Sequence, residues 1–234
     1  MKVIGHRGCA GLEPENTLLG FKRAIELGVS ELELDIHMTK DGRIVVIHDG
    51  TLDRTTSMKG KVLDHTYEEL KKADAGKGES IPLLSDVLAL IKDKDIIIDI
   101  ELKEPGLVEP LLEKVVPTDM LTKISIISFW HRELVKVKKF SYIIKTGALM
   151  VNNPVYAKTI FHDTLADYIS IVHDMADKSL VDDTHMYKKK IYVWGKIDDK
   201  QKIDRLVGLG VDGIASDFPD LVINRLKELG KVVE

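Results

Sequence analysis

The chain is 234 residues long, 44% apolar and 31% charged, with a formal net charge of −4 and one cysteine. That length and composition suit a single soluble globular domain with a substantial core. They exclude an internal disulfide framework and a global electrostatic pull towards nucleic acid, and no apolar run reaches membrane-spanning length. No Cys/His spacing suggests zinc. The lysine clusters at Lys136 to Lys139 and Lys188 to Lys190 have acids nearby and read as solvated faces. The N-terminus opens into a strand at Lys2 to Gly5 without a signal peptide, so a cytoplasmic protein is expected, with no nucleic-acid partner and no stable membrane association.

In chain order, strand-like runs fall near Val3-Ile4, Glu31 to Ile36, Asp95 to Glu101, Lys123 to Ser128, Tyr142 to Leu149, Asp167 to Val172, Lys190 to Trp194 and Gly213 to Ser216. Amphipathic helical stretches fill the gaps. Asn16 or Thr17 can cap a helix that stops at Gly28; Ser85 can cap Asp86 to Lys92; Pro219 suits a first turn, with Gly230 as the stop. Leu27-Gly28-Val29 is echoed by Leu209-Gly210-Val211, each a helix end leading into a buried strand. Eight such units in a chain of about 200–250 residues predict an α/β fold of the (β/α)8 TIM-barrel type, one domain spanning 1–234. The polar, glycine-bearing stretch from Thr51 to Ser80 breaks the alternation. Too poor in apolar residues to own a core, it reads as a small insertion in the loop after strand 2, lying over the barrel mouth.

Glu31 to Asp49 concentrates the chemistry. Residues two apart on a strand share a face, so Glu33 and Asp35 point one way while Leu32, Leu34 and Ile36 point the other. Lys40-Asp41-Gly42 is turn chemistry, and Ile44 to Ile47 must return antiparallel. Counting back from the turn sets His48 roughly opposite Glu33. Active sites of such barrels lie at the C-terminal strand ends, which here carry His6-Arg7-Gly8, Glu33 and Asp35 with His48, and Glu101-Leu102-Lys103. Glu33, Asp35 and Glu101 make a hard oxygen site suited to Mg²⁺ or Ca²⁺. Arg7 and Lys103 can hold a phosphate, and His6 and His48 can form an acid/base pair. Together these groups describe phosphoryl-ester cleavage. Singly, each has a plainer reading: Glu101 with Lys103 as a satisfied ion pair, a lone histidine as a structural hydrogen bonder, and Glu15 and Asn16 as parts of a helix start. His37 is expected to be structural or solvent-facing, and no role is assigned to His65, His131, His162, His173 or His185.

The ordered series His6-Arg7-Gly8, Pro14-Glu15-Asn16-Thr17, Glu33-Leu34-Asp35, Thr39-Lys40-Asp41-Gly42, His48-Asp49, Thr51 to Thr56, Ile81-Pro82 and Glu101-Leu102-Lys103 resembles the glycerophosphodiester phosphodiesterases. Gly210 to Ile214 and Ser216-Asp217-Phe218-Pro219 extend the resemblance to the C-terminus. It implies a TIM barrel that hydrolyses small glycerophosphodiesters to glycerol 3-phosphate and an alcohol through a cyclic phosphate. It further implies one divalent cation (Mg²⁺, Ca²⁺ or Mn²⁺) on Glu33, Asp35 and Glu101, with His6 and His48 as acid and base and Arg7 and Lys103 on the phosphate. The pattern departs where Trp194-Gly195-Lys196-Ile197 replaces a Trp-Thr-Val-Asn run and Trp130 replaces an acid. Trp194 reads either as a wall of the glycerol site or as rim packing. Rival functions are a phospholipase-like enzyme acting on a lipid or releasing the cyclic phosphate, a Schiff-base barrel using Lys103, and a noncatalytic phosphate-binding barrel. The absence of a docking helix or basic face disfavours whole-lipid substrates.

Overall fold

A computed structural model describes residues 1–233. Strands β1 (Lys2–Gly5), β2 (Glu31–Met38), β4 (Ile97–Leu102), β5 (Ile124–Ser128), β6 (Lys145–Met150), β7 (Tyr168–Val172), β8 (Lys190–Trp194) and β9 (Gly213–Ser216) run parallel. Their order closes through pairing of β1 with both β2 and β9, which makes the (β/α)8 barrel. Strand β3 (Ile44–Val46) is a short antiparallel excursion on β2.

The local chemistry expected at the helix ends is largely what forms. Thr17 Oγ1 accepts the Gly20 N–H at the start of α1 (Leu18–Leu27), and Gly28, in the left-handed region at φ 88°, ends it. Asp199 and Gly210 bracket α8 (Lys200–Leu209) in the same way. Ser85 is not a cap: α3 (Leu84–Ile91) starts before it, and the Asp86 carboxylate accepts the Leu83 N–H instead. Strands β4 and β6 begin at Ile97 and Lys145, later than expected, because ladder pairing with their neighbours starts only there.

Side-chain alternation sorts each strand. On β4, Ile98, Ile100 and Leu102 join the helix-facing core, while Asp99 and Glu101 point inwards. Ile4, Ile127, Leu149, Tyr168, Tyr192 and Ala215 fill the interior. Tyr168 fits there because residue 147 is glycine; a Cβ would come within 2.2 Å of its ring. Tyr168 Oη donates to Asp99 Oδ1 at 2.8 Å. Burial, reinforced by Glu31, pushes the Asp99 carboxyl up to about 8.

Two sequence expectations need correction. The insertion does own a core: Leu52, Val62, Leu70 and Ala73 bury themselves with Val45, Ile47 and Ile81, separate from the main cluster. Its apolar residues are few and aperiodic, but they share a cluster with the hairpin arm. Nor is the first lysine cluster wholly solvated. Lys138, on α5 (His131–Phe140), is buried, donating to the Ile144 carbonyl at 2.8 Å and to Asp167 Oδ2 at 2.5 Å. Burial pushes the Asp167 carboxyl up, yet Lys138, the Thr146 N–H and Lys145 outweigh it and leave its pKa below the ordinary value. A depressed folded-state pKa contributes stability above the unfolded value, lost as pH falls through the folded one. Lys138→Met should therefore lower the unfolding free energy by about 3 kcal/mol at pH 7, and the deficit should shrink at pH 3; urea unfolding at the two pH values checks both.

Candidate active site

Strand β2 is the organising element. Glu33 and Asp35 share its inward face, and the β2–β4 register places Asp35 directly across from Glu101. One ligand atom from each of the three buried carboxylates lies within 4.8 Å of the others. Lys103, two residues beyond Glu101, sets its Nζ 2.7 Å from Glu101 Oε1 and 3.3 Å from Asp35 Oδ1. Arg7 reaches the acids from a tight turn after β1. It takes φ 49° and is followed by Gly8 at φ 87°, where a Cβ would meet the Gly20 backbone at 2.8 Å. The turn aims the Arg7 N–H at Glu33 Oε2, 2.8 Å away, while its Nη1 donates to Glu15 Oε1 at 3.1 Å. Asn16, also left-handed and buried, donates from Nδ2 to Asp35 Oδ2 at 2.8 Å.

Three buried acids face two cations, and their protonation divides accordingly. Burial and the charges of Asp35 and Glu101 push Glu33 well up. Burial and Asp35 push Glu101 up to about 7, against the pull of Lys103. For Asp35, burial is outweighed by Lys103, His48, Arg7 and the Asn16 amide, so it stays ionised. Burial opposes charge on Arg7 and Lys103 too, but the acids override it and raise both. Within this site two buried atoms lack a hydrogen bond and have only an ion-pair partner, Asp35 Oδ1 with Lys103 Nζ at 3.3 Å and Arg7 Nε with Asp35 Oδ2 at 3.6 Å. The carboxylate set, all hard oxygen, can hold a divalent cation.

Each of the two expected histidines is held by a carboxylate. His6 Nδ1 donates to Asp217 Oδ1 at 2.6 Å, leaving Nε2 on the side of Glu33, 3.9 Å from Oε2. His48 Nδ1 donates to Asp49 Oδ1, also at 2.6 Å. Both bonds leave Nε2 as the free ring nitrogen. Burial lowers the His48 pKa, with Asp35 and Asp49 opposing it only in part. Its position differs from the expected one. Ile36, His37 and Met38 pair with Val46, Val45 and Ile44, a register that would set His48 against Leu34 and not Glu33, and pairing ends at Val46. His48 is fixed instead from behind. The Arg54 guanidinium donates to both oxygens of Asp49 at 2.8 and 3.0 Å and to both oxygens of Glu15 at 2.7 and 2.8 Å. His37, buried, places its Nε2 3.1 Å from the His48 carbonyl, so it is structural and not solvent-facing.

His6, Arg7, Glu33, His48, Glu101 and Lys103 all line one cavity of about 110 Å³ at the barrel mouth, with Asp35 beneath them. Its other wall is apolar and includes Ile127, Phe129, Leu149 and Trp194. Trp194 stands edge-on to Phe129, ring centres 5.7 Å apart, and its Nε1 donates to the Ser170 carbonyl at 3.2 Å. A larger groove of about 600 Å³ between α3 and α4 (Val108–Val115) has no imidazole and a single carboxylate, Asp119. His65, His131, His162, His173 and His185 stand outside the cavity lining. The groups missing from the sequence reading are Asp49, Asp217 and Arg54. The two aspartates were visible as motif members, but nothing in their spacing reveals which side chain each one holds.

The family model "Glycerophosphoryl diester phosphodiesterase family" matches residues 6–221. The chain belongs to this family. It is 39% identical over 243 aligned positions to the glycerophosphodiester phosphodiesterase of Caldanaerobacter subterraneus subsp. tengcongensis, covering 97% of this chain and 98% of the relative. A second relative of that name, from Bacillus altitudinis, is 35% identical over 97% of this chain and 99% of its own. Among solved structures, an Oleispira antarctica phosphodiesterase in complex with the product sn-glycerol-3-phosphate superposes with a TM-score of 0.89 at 26% identity, covering 97% of both chains. The chain is therefore an enzyme, a phosphoric diester hydrolase of the glycerophosphodiester class. If the two aspartates orient the imidazoles, Asp217→Asn and Asp49→Asn should each lower kcat by roughly 10–100-fold with unchanged thermal stability; steady-state rates with a parallel melting curve check this, and wild-type rates would detach the aspartate from the histidine's task.

Proposed function

We propose that the enzyme hydrolyses water-soluble glycerophosphodiesters to glycerol 3-phosphate and an alcohol, using His6 and His48 as the acid/base pair. The observation that carries this reading is that both imidazoles hold a carboxylate at Nδ1 and line the same cavity as the acid triad and the two cations. Arg7 Nε, buried and held only by a 3.6 Å ion pair to Asp35 Oδ2, keeps a donor that a phosphate oxygen can take, and Lys103 adds a second positive charge. Glu33, Asp35 and Glu101 would hold the divalent cation, Mg²⁺, Ca²⁺ or Mn²⁺, which when bound supplies positive charge against the developing phosphoryl oxyanion.

The neighbouring hydroxyl of the substrate glycerol attacks phosphorus, passing its proton to one imidazole. The other imidazole gives a proton to the leaving alcohol oxygen as its bond to phosphorus breaks. Water then opens the resulting cyclic phosphate with the two roles reversed, and glycerol 3-phosphate leaves. Trp194 and Phe129 form the apolar wall against which the glycerol lies. The Oleispira relative's complex with sn-glycerol-3-phosphate supports this product class.

His6→Ala and His48→Ala should each lower turnover of glycerophosphocholine by roughly 10²–10⁴-fold. A variant that keeps wild-type rates would remove that histidine from the mechanism. Protein stripped by chelator should lose activity and regain it with Mg²⁺, Ca²⁺ or Mn²⁺ supplied singly. Glu101→Gln should shift the metal titration to roughly 10–100-fold higher concentration; an unmoved titration would contradict its assignment as a ligand.

A further inference from the structure

Arg54 belongs to the insertion, and its side chain is 47% exposed, yet every nitrogen of its guanidinium is committed. Nε and Nη2 donate to the two oxygens of Asp49 at 2.8 and 3.0 Å, and Nη1 and Nη2 donate to the two oxygens of Glu15 at 2.8 and 2.7 Å. Exposed ion pairs add little to folding stability, so four charge-assisted bonds on one half-exposed residue call for another reason. The two carboxylates supply it. Asp49 Oδ1 holds His48 Nδ1 at 2.6 Å, and Glu15 Oε1 accepts from Arg7 Nη1 at 3.1 Å. Hydrogen bonds from Arg54 hold the Asp49 carboxyl well below the ordinary carboxylate range, so it remains an ionised acceptor for the imidazole N–H. One guanidinium thus stands behind the acid/base imidazole and the phosphate cation at once.

The fork is also held from its own side. The turn that carries it is closed by the Leu52 N–H on the Gly60 carbonyl at 2.9 Å and by Thr56, whose N–H and Oγ1 both donate to the Leu52 carbonyl, at 3.1 and 2.8 Å. Leu52 itself is fully buried in the insertion's apolar cluster. A planar fork on a fixed stem dictates direction as well as distance, which a single ammonium cannot do. The other histidine has no such support: among the described residues, Asp217 has no ion-pair partner besides His6. We infer that Arg54 is a positioning residue for the reaction: the insertion acts through it to align the His48 imidazole and the Arg7 guanidinium together. This inference rests on the roles given to His48 and Arg7 under Proposed function.

The test measures kcat and KM on glycerophosphocholine, with a melting curve for each protein, in the wild type, Arg54→Lys, Arg54→Ala, Asp49→Asn and Arg54→Ala/Asp49→Asn. Guanidinium or methylammonium chloride is added well below denaturing concentration. Arg54→Ala should lose on the order of 10²-fold in kcat/KM, the effect of misplacing a reacting group by about 1 Å. That loss should divide between a lower kcat, through His48, and a higher KM, through Arg7. Arg54→Lys keeps the charge and not the fork, and should still lose roughly tenfold or more while melting as the wild type does. Guanidinium should restore Arg54→Ala by roughly tenfold or more and methylammonium should not; in the double variant guanidinium should leave kcat unchanged. Wild-type rates in Arg54→Lys overturn the fork, and an unmoved KM in Arg54→Ala overturns the branch through Glu15. Equal rescue of kcat in the single and double variants overturns the route through Asp49. Should Arg54→Ala fail to fold, Arg54→Lys decides by the same two parameters. A wild type inactive on glycerophosphocholine, or His48→Ala at wild-type rates, removes the parent reading; an active wild type whose Arg54 variants match it removes this inference alone.

Discussion

Three carboxylates buried within one small volume repel one another, and two cations face them. Most of the architecture around the mouth answers that constraint. Glu33 and Asp35 sit on adjacent inward positions of β2, and the register of β4 adds Glu101 beside Asp35. A buried charge left unpaired costs several kcal/mol, so the site recruits what compensation the chain can bring. Lys103 comes from β4's own end, Arg7 from a left-handed turn, and the Asn16 amide from a second left-handed residue. The strained backbone at residues 7 and 16, worth about 1–2 kcal/mol each, is tolerated because it places a backbone N–H and a side-chain amide against the acids. One negative charge remains in excess. Glu33 and Glu101 answer it with carboxyls pushed up, and the set of three acids can instead hold a cation.

The insertion is bound into the same network. A continuous chain of ion pairs runs from Arg7 to Glu15, Arg54, Asp49 and His48. Arg54 belongs to the insertion, and its fork is satisfied by two carboxylates at once, which fixes both in direction as well as distance. The insertion's separate apolar cluster now has a purpose. Burying Val45 and Ile47 alongside Leu52 and Ile81 pins the chain on either side of His48 and Asp49. His48 lies just past the end of the three-residue strand β3, held to β2 by the Ile47 N–H on the Asp35 carbonyl at 3.0 Å and by His37 Nε2, 3.1 Å from the His48 carbonyl, and the cluster adds support from the outer side.

What was legible in the sequence follows from the range of the interactions. Period-two alternation places Glu33 with Asp35 and Glu101 with Lys103 without knowledge of any other strand, and Thr17 and Gly28 mark their helix by rules that act within a few residues. The strand count and the closing echo of Leu209-Gly210-Val211 then imply the barrel. Interactions that depend on tertiary approach left no such trace. Asp217 meets His6 across 211 positions of sequence, and Arg54 meets Glu15 across 39. Lys138 looks like one of a solvated run until β6 and the Asp167 loop bury it. The one-residue error at His48 arose at the turn: the Thr39 N–H donates to the Arg43 carbonyl, so three residues and not two separate the arms, and the whole register moves by one.

The departures from the family pattern fall on the opposite side of the mouth, and backbone geometry accounts for one of them. Gly195 adopts φ 117°, a region L side chains rarely enter, and a Cβ there would press to within 3.2 Å of the buried His173 ring. A small polar side chain at this position would need a different turn. The glycine lets the chain leave β8 directly after Trp194, whose ring then stands on Phe129. The mouth divides into a polar half on β1, β2 and β4, where charge spacing announces the chemistry, and an apolar half from β5 to β8. Apolar contacts have no required partner atom and no required spacing. The apolar half of the mouth therefore emerges only when the barrel closes.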